Sequence, residues 1–191
     1  MENKDTLFEA LKAAPIALGA YKTGIIDARE ISLDRAFRAM CEANSCGMYG
    51  RCWMCPPDVG DIDVLMAEVA EYDYALVYQT VSELEDNFDF EGMIAAKKRT
   101  YPLAQSLRDV FRNRGIDKVL HLGAGGCGVC ETCSKKTNEP CRYPGRAMPS
   151  LEAYGVNVSR LASAAGMKYI NGQNTVTYFG AVLFSLDGEN L

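Results

Sequence analysis

Apolar positions along the chain recur with periods that switch between helix and strand. Residues 5–13 place Leu7, Phe8 and Leu11 on one side of a short helix. Residues 16–27 are apolar and small, as one or two strands require. Ser32 stands at a helix-cap position, and Leu33, Phe37 and Met40 follow at helical spacing toward Ala43. Asp61 caps a further helix with Ile62, Leu65, Met66 and Val69 inward. Residues 74–81 combine Tyr74, Val77, Tyr78, Thr80 and Val81 in a strand-like run. Residues 91–114 set Ile94, Tyr101, Ala104, Leu107 and Phe111 on one helical stripe, within which Pro102 predicts a kink or two helices. Residues 118–122 form a short strand running straight into the glycine-rich stretch 123–128. Residues 150–166 suggest a helix broken near Gly155, and 176–186 a final strand with a bulge at Gly180.

Strands that alternate with helices predict an α/β layered fold. The expectation is a single domain over residues 1–191, with a mixed sheet and a cysteine-rich lobe built in the loops.

Composition narrows the classes. Of 191 residues, 48% are hydrophobic and 24% charged, enough for a buried core. A net charge of −5 argues against a nucleic-acid partner. No apolar run approaches the roughly 20 residues of a membrane span, so no membrane partner is expected. The start, Met1-Glu2-Asn3-Lys4-Asp5, lacks an apolar signal core, which predicts a cytoplasmic protein. Eight cysteines in a reducing compartment read first as metal ligands and second as redox catalysts.

The cysteines fall into two blocks. In the second, Cys127, Cys130 and Cys133 are each two residues apart, and Cys141 follows at a distance. Three thiolates in so tight a run can reach different corners of an iron–sulfur cube, and the fourth closes the cage, in a spacing related to the ferredoxin run. Structural zinc is the alternative, although zinc more often takes two C-x2-C pairs from separate loops. Gly125, Gly126 and Gly128 surround Cys127 and let backbone N–H groups approach a bound cofactor's sulfurs. Residues 123–128 also match G-x-G-x-x-G, but a cysteine run follows where a dinucleotide site needs a helix.

The first block offers Cys41, Cys46, Cys52 and Cys55, followed by Pro56-Pro57. All four bind one centre, or three bind and leave an iron open to substrate. Cys52 and Cys55 alone also form a C-x-x-C pair with dithiol potential. Trp53, the single tryptophan, lies between them as core or as a water shield. His121, the single histidine, reads as structural before ligand or proton donor. Lys97, Lys98 and Arg99 read as a solvated helix face, or, with Arg108, Arg112 and Arg114, as a dock for an acidic redox partner. Arg142 and Arg146 flank Cys141, where they could offset cluster charge or grip an anion.

Taken together, Cys41, Cys46, Gly47, Tyr49, Gly50, Trp53, Cys55, Pro56 and Pro57 resemble the first block of a bacterial and archaeal family of cysteine-rich predicted metal-binding proteins, a domain of unknown function. Gly125, Gly126, Cys127, Gly128, Cys130, Cys133, Pro140, Cys141, Arg142, Pro144 and Pro149 to Gly155 resemble its second block, so the likeness spans nearly the whole chain. The resemblance implies metal binding, iron–sulfur in kind, in mainly anaerobic microbes. It supplies no reaction. The family's cysteines fall on Cys41, Cys46, Cys55, Cys127, Cys130, Cys133 and Cys141, and position 52 varies, which favours a three-cysteine first site. Met148 replaces a frequent arginine.

The expectation is one or two [4Fe–4S] clusters, with zinc as the alternative, in a redox or electron-transfer protein with a possible protein redox partner. Two other functions remain open: an enzyme with an open-site cluster, and a zinc-stabilised interaction module.

Overall fold

The run at 74–81 extends into a ten-residue strand, β2 (Tyr74–Glu83), whose central residues are buried on both faces. That explains why it reads as continuous hydrophobicity rather than alternation. In the computed structural model, which describes residues 3–186, three more strands flank it: β1 (Lys22–Asp27), β3 (Val119–Leu122) and β4 (Thr175–Phe184). Met1 and Glu2 of the polar start lie outside the described residues.

The sheet order is β1-β2-β4-β3, and every neighbouring pair is antiparallel. The α/β layered class holds, but the expected mixed sheet is antiparallel throughout. Alternation of helix and strand carries no direction of its own, and the connecting segments are long enough to return the chain either way. The parallel pairing found among the described residues is an isolated bridge between Gly123 and Ser150.

Helices cover both faces of the sheet. On one side lie α1 (Lys4–Ala17) and α4 (Phe90–Arg112), whose Leu7, Leu11, Leu103, Leu107 and Phe111 pack on Leu76, Tyr78, Val182 and Phe184. On the other, α3 (Ile62–Val69) and α5 (Val158–Ala164) meet Ala75, Val77, Ala181 and Leu183. Asp61 caps α3 as expected, its carboxylate accepting the Asp63 N–H at 2.9 Å. Helix α4 runs unbroken for 23 residues through Pro102, not as two helices. Pro102 and Lys98, whose carbonyl loses its donor, both face solvent, where water can serve that carbonyl.

Three other expectations need correction. The helix α2 (Ala36–Glu42) starts later than Ser32 and is not capped by it; Asp34 accepts the Ala36 N–H instead, at 2.8 Å. Residues 32–34 are drawn off to bridge 155–157, with Asp34 N–H to Gly155 O at 2.7 Å and Asn157 N–H to Ser32 O at 2.9 Å. Ile94 of the expected α4 stripe is exposed. Gly180 pairs in register with Tyr78 and makes no bulge. A β-carbon there would stand 2.3 Å from the Tyr78 ring, so the glycine clears room for that ring. The broken segment near Gly155 is as expected: a 3-10 turn (Glu152–Tyr154), Gly155 at φ +72, then α5.

Candidate metal centre

The two cysteine blocks sit where the chain leaves its regular elements. Cys41 rides the last turn of α2, and residues 43–60 then form a chain of turns. Gly50, at φ +65, donates its N–H to Pro56 O at 2.9 Å, closing a loop around Cys52 and Cys55. The Asn44 side chain accepts the Tyr49 N–H at 3.0 Å and closes the turn before it. Cys52 and Cys55 are buried and Cys46 is exposed.

The second block is one long excursion. Its ends are joined by the bridge beyond β3, where Gly123 N–H meets Pro149 O and Leu151 N–H meets Gly123 O, both at 2.9 Å. Inside it, Ser134 Oγ donates to Pro140 O at 2.8 Å and Arg142 to Thr132 O at 3.1 Å. Cys127, Cys130, Cys133 and Cys141 are all half-buried within this excursion. All eight cysteines are free thiols.

The excursion and the first loop meet, and their thiols sort around two cavities. An open cavity of about 600 Å³ is lined by Cys41, Cys46 and Cys55, with Gly125 and Gly126 in its wall and Phe37, Met40, Met48, Tyr49 and Tyr169 around it. A much smaller one, about 20 Å³, is lined by Cys52, Cys127, Cys130, Cys133 and Cys141. The C-x-x-C pair is therefore split: Cys55 faces the first cavity and Cys52 the second. Sequence spacing alone left Cys52 in the first block.

Electrostatics marks the same residue. Cys52 accepts hydrogen bonds from the thiols of Cys55 and Cys133 and from the N–H groups of Met54 and Cys127. These bring its thiol down to about 6, the Cys55 bond contributing most, against the opposing effect of burial. Cys55 is pushed up, first as the donor in that bond and then by burial. Burial also raises Cys127, although the Val129 and Met148 N–H groups oppose it, and raises Cys41, against Arg38. The thiolate is the metal-ligating form, so Cys52 is held close to it.

The glycines at 125, 126 and 128 are sites of close approach. A β-carbon would lie 2.6 Å from Lys97 Nζ at Gly125, 3.5 Å from Cys55 Sγ at Gly126 and 1.8 Å from the Tyr101 ring at Gly128. Only backbone fits at Gly128, whereas a β-carbon at Gly126 would meet Met48 at 3.1 Å and make ordinary contact with Cys55. No helix follows this loop before the 3-10 turn at Ser134–Thr137, so the nucleotide pattern lacks its structural context.

His121 lies on β3, buried, with Nε2 2.9 Å from the Tyr78 hydroxyl. Burial, aided by Arg108, drops it to about 3, so it is a neutral sheet residue. Arg146 Nε donates to Gln105 Oε1 at 3.1 Å and ties the excursion to α4. Trp53 donates Nε1–H to Glu139 O at 2.9 Å, and Lys135 stands 4.3 Å over its ring while pairing with Asp58. This cross-block stitch was not foreseen, because partners from separate loops leave no periodic signal. Among the described residues, no three His, Cys, Asp or Glu side chains close around a single-ion position, and none of the helices is long and apolar enough to cross a membrane.

Comparison with known families matches residues 24–184 to the predicted metal-binding protein family (DUF2284), so the chain belongs to that family. No curated protein and no solved structure matches it.

Proposed function

We propose that this member of the predicted metal-binding family is an iron–sulfur protein of the cytoplasm with a redox or electron-transfer role. Cys127, Cys130, Cys133 and Cys141 would hold a [4Fe–4S] cluster, with Cys52 as a fifth thiol in the same ring. Such a cluster, when bound, supplies one-electron transfer. The observation that carries this is the convergence of five thiols, from both cysteine blocks, on one small cavity. The donor set fits the group in kind: soft thiols supplied by two loops, which suit iron–sulfur clusters.

The test is iron, acid-labile sulfide and zinc content of anaerobically purified protein, together with its visible spectrum. Equal iron and sulfide in brown protein is the expected result. Stoichiometric zinc without sulfide would overturn the proposal and leave a zinc-stabilised interaction module. Cys52→Ala should alter the spectrum of the second centre and leave iron at the first unchanged.

A second reading is favoured by the other cavity. Three thiols, Cys41, Cys46 and Cys55, border a space in the size range of small-molecule sites. Three ligands leave a cubane iron open, so this centre would bind a small substrate while the second serves electron transfer. Cyanide added to the iron-loaded protein should perturb a spectral component that Cys41→Ser removes. Cyanide without effect on the fully loaded protein would end the open-site reading.

A further inference from the structure

The open cavity beside Cys41, Cys46 and Cys55 has walls of one character and charge of one sign. Phe37, Met40, Met48, Tyr49 and Tyr169 line it, and Tyr169 is held by stacking on Phe179, with centroids 6.0 Å apart and planes at 13°. Thiols aside, Glu152 is the single ionised side chain in that lining, and among the described residues no lysine, arginine or histidine borders the space. Glu152 opens the 3-10 turn (Glu152–Tyr154) just past the Gly123–Ser150 bridge, so its backbone is anchored beside β3.

The Glu152 side chain is half-buried, and among the described residues its carboxylate has no hydrogen-bond or ion-pair partner. A partly desolvated carboxylate is costly until a cation stands near it. Its charge reaches the thiols: burial raises Cys41, Arg38 opposes the rise, and Cys46 and Glu152 add to it. Arg38 does not supply the missing cation, because its guanidinium donates to Ala153 O at 3.4 Å and does not line the cavity. The first residues of α5 also border the space, but there the Asn157 side chain already accepts the Arg160 N–H at 3.1 Å. Metal-bound thiolates would add negative charge, so the sign of the cavity is the same loaded or empty.

We propose that this cavity takes an organic cation, a compact ammonium group on an apolar body, with its charge on Glu152 and its body against the aromatic wall. This rests on the reading of the cavity as a small-molecule site and names the class of molecule it admits. Aromatic faces attract a cation as well as an apolar surface, so the walls and the carboxylate select the same guest. An anion finds no counter-charge here.

The probes are benzyltrimethylammonium, benzyl alcohol and phenylacetate, titrated calorimetrically into anaerobically purified protein. The quaternary cation can neither ligate iron nor react with a thiol, so it reads the cavity's walls and charge alone. It should bind at least about tenfold more tightly than benzyl alcohol, and phenylacetate more weakly than either. Glu152→Gln should bring the cation down to the level of benzyl alcohol and leave benzyl alcohol unmoved, while Glu152→Asp should keep the preference. Glu42 is exposed and outside the lining, and Glu42→Gln should leave all three affinities as they are. Native protein that binds the cation no better than benzyl alcohol would overturn the inference, whatever the variants do. So would Glu152→Gln with the preference intact, or an equal loss in Glu42→Gln. A cyanide response without a charge preference would end this inference alone. Cyanide without effect, beside a preference that Glu152→Gln removes, would end the open iron and keep the cation site.

Discussion

The sheet and the cysteine segments are held together in opposite ways. In β2 and β4, ten registered backbone pairs run the full length of both strands, and Ala75, Leu76, Val77, Ala181, Leu183 and Phe184 are wholly buried between two helical layers. Residues 43–60 and the excursion 123–150 contain no α-helix and no strand, and are closed by turns and side-chain bonds such as Gly50 to Pro56 and Ser134 to Pro140. Hydrophobic burial and ladder bonds fix the first; local turns and thiols shape the second. The difference predicts that stability and metal capacity are separable here, except where α4 joins the two regions.

The strongest way to break that separation is to remove ligands. Cys130→Ser combined with Cys133→Ser should abolish metal binding at the second ring, while denaturant unfolding of the sheet body shifts by less than about 1 kcal/mol in metal-free protein. Metal analysis and circular dichroism decide it, and a sheet that no longer folds would show the two regions to be one unit. The joint itself should respond on both counts. Gly128→Ala drives a β-carbon into the Tyr101 ring and should cost about 3 kcal/mol together with metal at the second ring. Tyr101→Ala added to it should restore part of the stability, which a double-mutant cycle in denaturant measures.

The smallest expected effect sharpens the comparison from the sheet side. His121 titrates near 6.5 when unfolded and near 3 when folded, because the sheet buries it. Its folded value is depressed, so its contribution is complete above pH 6.5 and is lost as pH falls toward 3. At pH 5 the loss is about 2 kcal/mol. His121→Asn should flatten the pH dependence of unfolding between pH 7 and pH 5, and metal content at pH 7 should not change. An unchanged slope would show that other groups drive the acid sensitivity.

The regular elements were legible where burial imposes a period. The run at 74–81, the Asp61 cap and the break at Gly155 each carry their own local signal, and each stands where the sequence places it. Strand direction was not legible, because antiparallel and mixed sheets draw on the same residues. Ser32 looked like a cap because its type fits one, yet its carbonyl serves Asn157, a partner that no short window contains. The cysteine blocks were visible as blocks. Their sorting was not: Cys52 and Cys55 are joined by a tight turn, Cys55 N–H to Cys52 O at 3.0 Å, that delivers neighbouring thiols to different cavities.

Trp53 gives the molecule a built-in optical gauge. Its indole bonds across to Glu139 and lies under Lys135, both from the second excursion, although the ring itself belongs to the first loop. Because it is the single tryptophan, all of the indole emission comes from this seam. Parting of the two loops would wet the ring and move its emission to the red, whatever the sheet does beneath it. A bound iron centre beside Cys52 would darken it by energy transfer. One fluorescence trace therefore follows the assembly of the cysteine lobe separately from the folding of the chain that supports it.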